Sequence, residues 1–182
     1  NIQDDSPLSV FLNQNNSLLH VNGNIDMRSA MYSDRVNIIL ENTAKVELGG
    51  DFLRGEEPYL YGSFICNGNS TLAFVGNKTQ SFPQTRADGS DAWNYKNIRI
   101  QNTSTTAPQI ILQGDAYIEN SISFIQGIVF AEEDTKLVLM ENGTVNSASN
   151  TSYMDGVFGK VGNAAFTFAI GDVGFYAPLS IS

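Results

Sequence analysis

A seven-residue phrase occurs twice in this chain. Residues 37–43 read NIILENT, and residues 97–103 read NIRIQNT. Each copy is followed by an apolar stretch that ends in Gly-Asp, at Gly50-Asp51 and at Gly114-Asp115. A weaker relative, LHVNGNI, occupies residues 19–25. Self-similarity on the scale of one or two strands indicates a repeat architecture rather than a compact enzyme with a deep pocket.

The chain also alternates apolar and polar residues in short runs, which is the period of a β-strand. Helical periodicity is almost absent. Between the runs lie pairs of residues that accept the positive φ of tight turns. These pairs are Asn22-Gly23, Gly49-Gly50, Asn67-Gly68, Asp88-Gly89 and Asn142-Gly143. The pattern therefore predicts an all-β chain.

The spacing of the turns separates a solenoid from a sandwich. Gly23 and Gly50 are 50 − 23 = 27 residues apart, a spacing typical of one coil of a β-solenoid. We predict a parallel β-solenoid, or β-helix, over residues 1–150. A run of small polar residues at 147–151 then marks the start of a second all-β module, residues 151–182. A β-sandwich is the alternative fold.

Twelve apolar residues of the alternating runs are expected to point inward, where full burial contributes roughly 1.5–3 kcal/mol each. They are Ile38, Leu40, Val46, Leu48, Leu72, Phe74, Ile98, Ile100, Ile110, Leu112, Leu137 and Leu139. The single cysteine, Cys66, is expected to be buried as a small apolar side chain. Residues 79–93 break the alternation and are expected to form a surface loop, and residues 132–134 an exposed acidic turn.

Charge and hydropathy exclude two classes of partner. The net charge is −9, from 10 basic and 19 acidic residues, with no basic cluster. Nucleic acid binding requires clustered Lys and Arg, so we expect no nucleic acid partner. No apolar run reaches the roughly 20 residues of a membrane helix, so no membrane span is expected.

Both ends of the chain are expected to be cuts from a longer protein. It opens on Asn1 and closes on the strand-like residues 179–182. Any signal or anchoring segment would then lie outside it. We expect the uncapped strand at 179–182 to pair with a following domain or with another chain.

Several acidic residues are candidates for catalysis or for metal binding. Glycoside cleavage requires a pair of carboxylates, and the candidates for it are Asp51, Asp115, Glu41 and Asp88. Asp51 and Asp115 recur after Gly in the repeat, which favours a structural role in which each accepts backbone N–H bonds. Residues 88–91 read DGSD, which lacks the full spacing of a calcium loop. The residues predict no metal site and no cofactor.

Histidine and cysteine do not supply a metal site either, because the chain has one of each. We expect His20 to be an ordinary strand residue that faces solvent.

Two functional alternatives involve polysaccharides. A solenoid polysaccharide lyase or hydrolase would have to use Asp51, Asp115, Tyr95 and Arg99. A carbohydrate-binding module would instead stack aromatic rings on sugars, and Trp93, Tyr95, Tyr59 and Tyr61 flank irregular segments of the sequence. These rings could equally pack at strand ends.

Several longer motifs carry a resemblance to a known family. Residues 69–82 read NSTLAFVGNKTQSF, residues 152–161 read SYMDGVFGKV, and residues 166–172 read FTFAIGD, followed by YAPL at 176–179. From about Leu18 onward this order of motifs resembles large cell-surface and secreted proteins of Bacteroidetes, the type IX secretion substrates and gliding-motility adhesins. Ala169 stands where that family usually has Pro.

The resemblance implies a non-enzymatic structural or adhesive segment at the bacterial cell surface or outside the cell. Its implied partners are the outer-membrane secretion machinery during export, and surface polysaccharide or other adhesin chains. The C-terminal sorting domain of the family is not part of this sequence.

Overall fold

The computed structural model describes residues 9–27, 37–54, 63–85 and 95–182. These ranges contain β-strands and connecting turns, and no helix. The strands in chain order are β1 (Ser9–Leu12), β2 (Leu18–Val21), β3 (Ile25–Met27), β4 (Asn37–Leu40), β5 (Lys45–Leu48), β6 (Phe52–Arg54), β7 (Ser63–Cys66), β8 (Thr71–Phe74), β9 (Gln80–Phe82), β10 (Tyr95–Gln101), β11 (Ile110–Leu112), β12 (Ala116–Gln126), β13 (Val129–Phe130), β14 (Lys136–Leu139), β15 (Thr144–Asn146), β16 (Met154–Asp155), β17 (Val157–Lys160), β18 (Phe166–Phe168), β19 (Gly171–Asp172), β20 (Phe175–Tyr176) and β21 (Leu179–Ile181).

The strands up to β17 stack in parallel as a β-solenoid, so the predicted fold is confirmed and the sandwich alternative is wrong. One ladder runs β2-β5-β8-β10-β12-β15. The long strand β12 also pairs, through its first residues, with β14. A second ladder contains β1-β4-β7 and, further along, β12-β14-β17. A third contains β3-β6 and β9-β11-β13-β16. We call the ladder that contains β5 the central ladder, the one that contains β4 the first ladder, and the one that contains β6 the third ladder.

The interior is filled by side chains from equivalent positions of successive coils. In the central ladder, Leu19, Val46 and Leu72 align in one row, which continues through Ile98 and Ile122. All twelve residues predicted to point inward are at most 3 % exposed. The prediction from alternation is therefore confirmed throughout the described part of the core.

Five aromatic rings form a continuous chain inside the solenoid. Their contacts run from Phe52 to Phe64 at 5.0 Å between ring centroids, on to Tyr95 at 6.1 Å, then to Phe82 at 5.2 Å and to Phe74 at 4.9 Å. The Tyr95 hydroxyl donates a hydrogen bond of 3.0 Å to the backbone oxygen of Pro83. Phe52 and Phe82 lie on the third ladder, Phe64 lies on the first, and Phe74 lies on the central one. The rings therefore join all three faces of the solenoid.

The corners are held by amide side chains that reach the preceding coil. Asn42 has φ of 55° and donates from Nδ2 to the Asn13 oxygen at 2.7 Å. Gly68 stacks on this turn with φ of 60°, and a Cβ there would lie 2.9 Å from the Asn42 oxygen. Only glycine fits this position without displacing the turn beneath it.

The two copies of the repeated phrase do not occupy equivalent places in the coil. Residues 37–40 lie on the first ladder, whereas residues 97–100 lie on the central one. The interpretation of Asp51 and Asp115 as equivalent repeat positions is therefore wrong. What the two copies share is a strand that ends at a corner with an asparagine. Asn102 donates to the backbone oxygen of Lys78 in the preceding coil at 2.7 Å, as Asn42 does to that of Asn13.

Parallel stacking continues beyond residue 150, where the sequence suggested a boundary. β16 and β17 add to the third and first ladders, and antiparallel pairing begins only at Phe166. The change from parallel to antiparallel pairing therefore lies between Lys160 and Phe166. β18 pairs with β21, and β19 with β20.

The last coil is covered in two ways. Phe158 contacts Phe166 and Phe168 of the hairpin at 6.3 and 5.9 Å, edge to face. Lys160 of β17 lies opposite Leu139 of β14 in the first ladder. Its Nζ donates to the backbone oxygens of Met140 and Val161 at 3.1 and 2.7 Å. The strand 179–181, which the sequence predicts to pair with a following domain or another chain, pairs through one edge with β18 of the same chain.

Candidate functional surfaces

The Asp51 and Asp115 carboxylates both bind backbone amides of a following strand, as predicted. Asp51 Oδ1 accepts from Ser81 N at 2.9 Å, and Asp115 Oδ1 accepts from Lys136 N at 3.1 Å. Asp115 Oδ2 also lies 3.1 Å from Lys136 Nζ, and this hydrogen bond and charge raise the pKa of the lysine. Both carboxylates therefore connect consecutive coils.

The four residues considered for polysaccharide cleavage are not assembled into one site. Asp51 lies between the central and third ladders, and Asp115 lies between the third ladder and the first. Arg99 is on the outer face of the central ladder, while Tyr95 is in the core.

The aromatic glycan-binding prediction is wrong for Tyr95. Its side chain is 0 % exposed, between Phe64 and Phe82, so its ring cannot stack on a sugar. Tyr95 stands next to an irregular segment of the sequence, which suggested an exposed ring. In the structure it is the first residue of β10, and its side chain points inward. Trp93, Tyr59 and Tyr61 lie outside the described residues.

His20 and Cys66 behave as predicted. The His20 side chain is 48 % exposed, with Nδ1 3.3 Å from Glu47 Oε2 and Nε2 2.8 Å from Asn22 Oδ1. Cys66 is buried, and desolvation raises the pKa of its thiol to about 12, against smaller lowering effects of the Lys96 amide and the Ser70 hydroxyl. The thiolate, which is the nucleophile, is therefore strongly disfavoured.

The predicted loop at 79–93 is a strand in its described part. Gln80–Phe82 forms β9 of the third ladder, and Thr85 is buried beyond it. The remainder, with the DGSD segment at 88–91, lies outside the described residues. The acidic residues 132–134 form an exposed turn, as expected.

A buried amide network was not anticipated from the sequence. Gln80 Oε1 accepts from Gly76 N at 2.9 Å and from Asn102 Nδ2 at 2.8 Å, while Gln80 Nε2 donates to the Leu48 oxygen at 2.9 Å. Gln80 and Asn102 are at most 1 % exposed. The signal was Gln80 at an inward position of an otherwise apolar alternation, which requires internal hydrogen-bond partners.

The outer face of the central ladder presents two rows of mainly small polar side chains. Asn97, Ser121 and Thr144 align in one row, and Arg99, Ser123 and Asn146 in the other. Ser121 donates to Asn97 Oδ1 at 2.8 Å, so the first row is internally bonded. The side chains of each row repeat at the spacing of the strands.

A cleft of about 290 Å³ lies between the last coils and the C-terminal hairpin. Its lining includes Glu141, Asn142, Thr144, Val145, Lys160 and Phe166. Lys160 Nζ lies 5.7 Å from the centroid of the Phe166 ring. The cleft thus combines an aromatic ring with amide, hydroxyl and carboxylate groups.

Asp155 of β16 lies within electrostatic range of Asp172 in β19. Burial, and then the charge of Asp172, raise the pKa of Asp155.

In the described part of the chain, no group of three or more His, Cys, Asp or Glu side chains is placed to hold a metal ion. The described ranges also hold no helix with the length and apolar character needed to cross a membrane.

Comparison of the chain with protein-family models, with curated proteins and with solved structures finds no match.

Proposed function

We propose that this chain is a non-enzymatic structural or adhesive segment of a bacterial cell-surface or secreted protein that is exported by type IX secretion. The observation that carries the proposal is the uninterrupted central ladder of six strands, β2 to β15. At about 4.8 Å between strands, this stack is roughly 24 Å long. A solenoid of this kind acts as a stiff spacer with flat lateral faces.

The use of the carboxylates supports a structural role. Asp51 and Asp115 connect adjacent coils through backbone amides, and Asp115 also pairs with Lys136. The family resemblance of residues 152–161 and 166–172 supports export to the surface. The proposed partners are the secretion machinery during export, and surface polysaccharide or other adhesin chains afterwards.

Gene replacement in the source organism tests the spacer and adhesive roles separately. Deletion of residues 9–160 should reduce surface attachment and spreading. An unrelated β-solenoid of equal length in their place should restore both if the segment is a spacer, and should not if its surface is adhesive. Normal attachment, spreading and outer-surface protein content after deletion of the whole gene would contradict the proposal.

Turnover is the test of the non-enzymatic assignment. Purified protein should leave acidic and neutral polysaccharides intact. Cleavage that is lost in Asp115→Asn but kept in Asn146→Asp, an exposed control, would overturn the assignment.

Carbohydrate binding without turnover is the second candidate function, and the cleft beside Phe166 favours it. A glycan array of the wild-type chain should then show binding that falls in Asn142→Ala, which alters the cleft, but not in Asn146→Ala, which does not line it. Trp93→Ala tests the aromatic residue proposed from the sequence. Binding unchanged in Trp93→Ala would remove Trp93 as a contact, and binding unchanged in Asn142→Ala would remove the cleft. A wild-type chain that binds no glycan would eliminate this candidate.

A further inference from the structure

The two rows of side chains on the outer face of the central ladder differ in how their polar groups are used. In the first row, Asn97 Nδ2 donates to the Ser70 oxygen at 3.0 Å, and Ser121 Oγ donates to Asn97 Oδ1 at 2.8 Å. In the second row, Arg99 and Ser123 lie opposite each other in register. Within the described part of the chain, neither of these two side chains has a hydrogen bond or an ion pair. Their donors are therefore available to a ligand.

Gln101 and Ile125 extend this free surface along the same two strands. Gln101 points outward from β10, two residues after Arg99, and its side-chain amide also has no partner among the described residues. The register between β10 and β12 shifts by one residue at Gln101, which leaves Ile125 without a partner residue in β10 and 41 % exposed. Such bulges redirect side chains and are frequent beside functional sites. We call Arg99, Gln101, Ser123 and Ile125 the Arg99 patch.

The Arg99 patch is positively charged although the whole chain has a net charge of −9. Glu47 of β5 belongs to the same row, but Ala73 separates it from Arg99 in the register, at two strand spacings or about 9.6 Å. This distance exceeds the Debye length of about 8 Å at 0.15 M ionic strength, and Glu47 is already paired with Lys45 at 3.5 Å. Glu119 of β12 is paired with a lysine of β10. An anion bound at Arg99 therefore meets little local repulsion.

The chemistry of the patch defines the class of ligand. A guanidinium binds a carboxylate through two parallel hydrogen bonds. The amide of Gln101 and the hydroxyl of Ser123 can each donate and accept, as the hydroxyls of a sugar require. The exposed side chain of Ile125 offers an apolar contact to the C–H face of a sugar ring.

An acidic peptide fits this surface less well than an acidic sugar. Extended peptides bind to sheets by adding a strand at an open edge. β10 is paired with β8 and β12, and β12 is paired with β10 and β15, so these strands offer no such edge. A ligand must then be held by side chains alone.

We propose that the Arg99 patch binds an acidic polysaccharide, with the carboxylate of a uronate held by Arg99 and neighbouring hydroxyls of the sugar held by Gln101 and Ser123. The inference rests on the proposed function, in which surface polysaccharide is an adhesive partner, and names the chemical class of that partner. The patch is on the side of the solenoid, and none of its four residues lines the cleft beside Phe166.

Binding of the purified full chain to polygalacturonate in 0.15 M sodium chloride tests the proposal. The wild type should bind polygalacturonate, and should bind neutral dextran and poly-glutamate more weakly. Arg99→Gln should weaken binding about tenfold or more, because a hydrogen-bonded charge is lost. Lys45→Gln is the matched control, since it removes the same charge from the same outer face at a lysine already paired with Glu47, and it should bind as the wild type does. Both variants should unfold at the urea concentration of the wild type.

Backbone NMR signals locate the site without a substitution. On addition of polygalacturonate, the largest shifts should fall at residues 99–101 and 123–125. A wild-type chain that does not bind polygalacturonate, shifts centred elsewhere, or equal losses in Arg99→Gln and Lys45→Gln would overturn the proposal. Poly-glutamate bound as tightly as polygalacturonate would overturn the assignment to a sugar, and dextran sulfate bound more tightly would overturn the assignment to a carboxylate.

The binding test and the gene replacement fail independently. Absence of binding in solution overturns the Arg99 patch and leaves the spacer role standing. Normal attachment and spreading after deletion of the gene overturns the proposed function and leaves the binding measured in solution standing.

Discussion

Removal of one ring from the aromatic chain should destabilise the whole middle of the solenoid. Phe82 is 0 % exposed and contacts Phe74 at 4.9 Å and Tyr95 at 5.2 Å between centroids. Phe82→Ala leaves a cavity that neighbouring coils cannot fill, because each is held in register by its ladder. The free energy of unfolding should fall by about 3–5 kcal/mol, of which each lost ring pair accounts for roughly 0.5–1.5 kcal/mol.

Phe175→Ala is the matched control for this prediction. The same atoms are removed from a side chain that is 75 % exposed, so the change should stay within about 0.5 kcal/mol. Urea unfolding followed by circular dichroism gives both values, and equal slopes confirm that the variants unfold as one unit. A loss for Phe82→Ala below about 1 kcal/mol, or one equal to that of Phe175→Ala, would show that the rings do not form a packed interior.

Three further predictions concern polar and titratable groups. Asn102→Ala should cost about 1–3 kcal/mol because it leaves buried oxygen atoms without a donor, whereas the exposed Asn146→Ala should be nearly neutral in the same urea experiment. Burial raises the pKa of Cys66 from 9.0 to about 12. Between these pH values the wild type should therefore lose stability relative to Cys66→Ala, by up to about 1.4 kcal/mol per pH unit. Parallel stability-against-pH profiles of the two proteins would contradict this. The raised pKa of Asp155 means that its stabilising, protonated form is lost as pH rises through that pKa. Asp172→Asn should therefore stabilise the chain at pH 7 more than at pH 3, and should lower the pKa of Asp155 in an NMR titration.

The core was predictable because strand alternation alone decides which side chains point inward. All twelve predicted residues are buried, from Ile38 in β4 to Leu139 in β14. β9 was missed because Gln80 interrupts its apolar face and Pro83 follows it. The amide can be buried only because Asn102, 22 residues later in the sequence, supplies a donor, which is a relation between coils that local alternation does not contain.

The placement of the repeats was less predictable than their existence. Residues 37–43 and 97–103 encode the same strand and corner, but the coil has three faces that accept such a unit. The number of residues between the two copies decides which face each copy reaches. For the surfaces the sequence suggested separate aromatic residues, whereas the cleft near Phe166 arises from the folding of the hairpin against Lys160.

The side-chain hydrogen bonds between adjacent coils have a consequence for the order of folding. His20 and Glu47 meet across 27 residues, and Asn97 and Ser121 across 24. Each contact of this kind between adjacent coils thus closes a loop of one coil, however many coils the chain has, so the entropy cost of adding a coil stays constant along the molecule. The slow step should be the first pairing of two coils, after which the structure grows by one coil at a time towards either end.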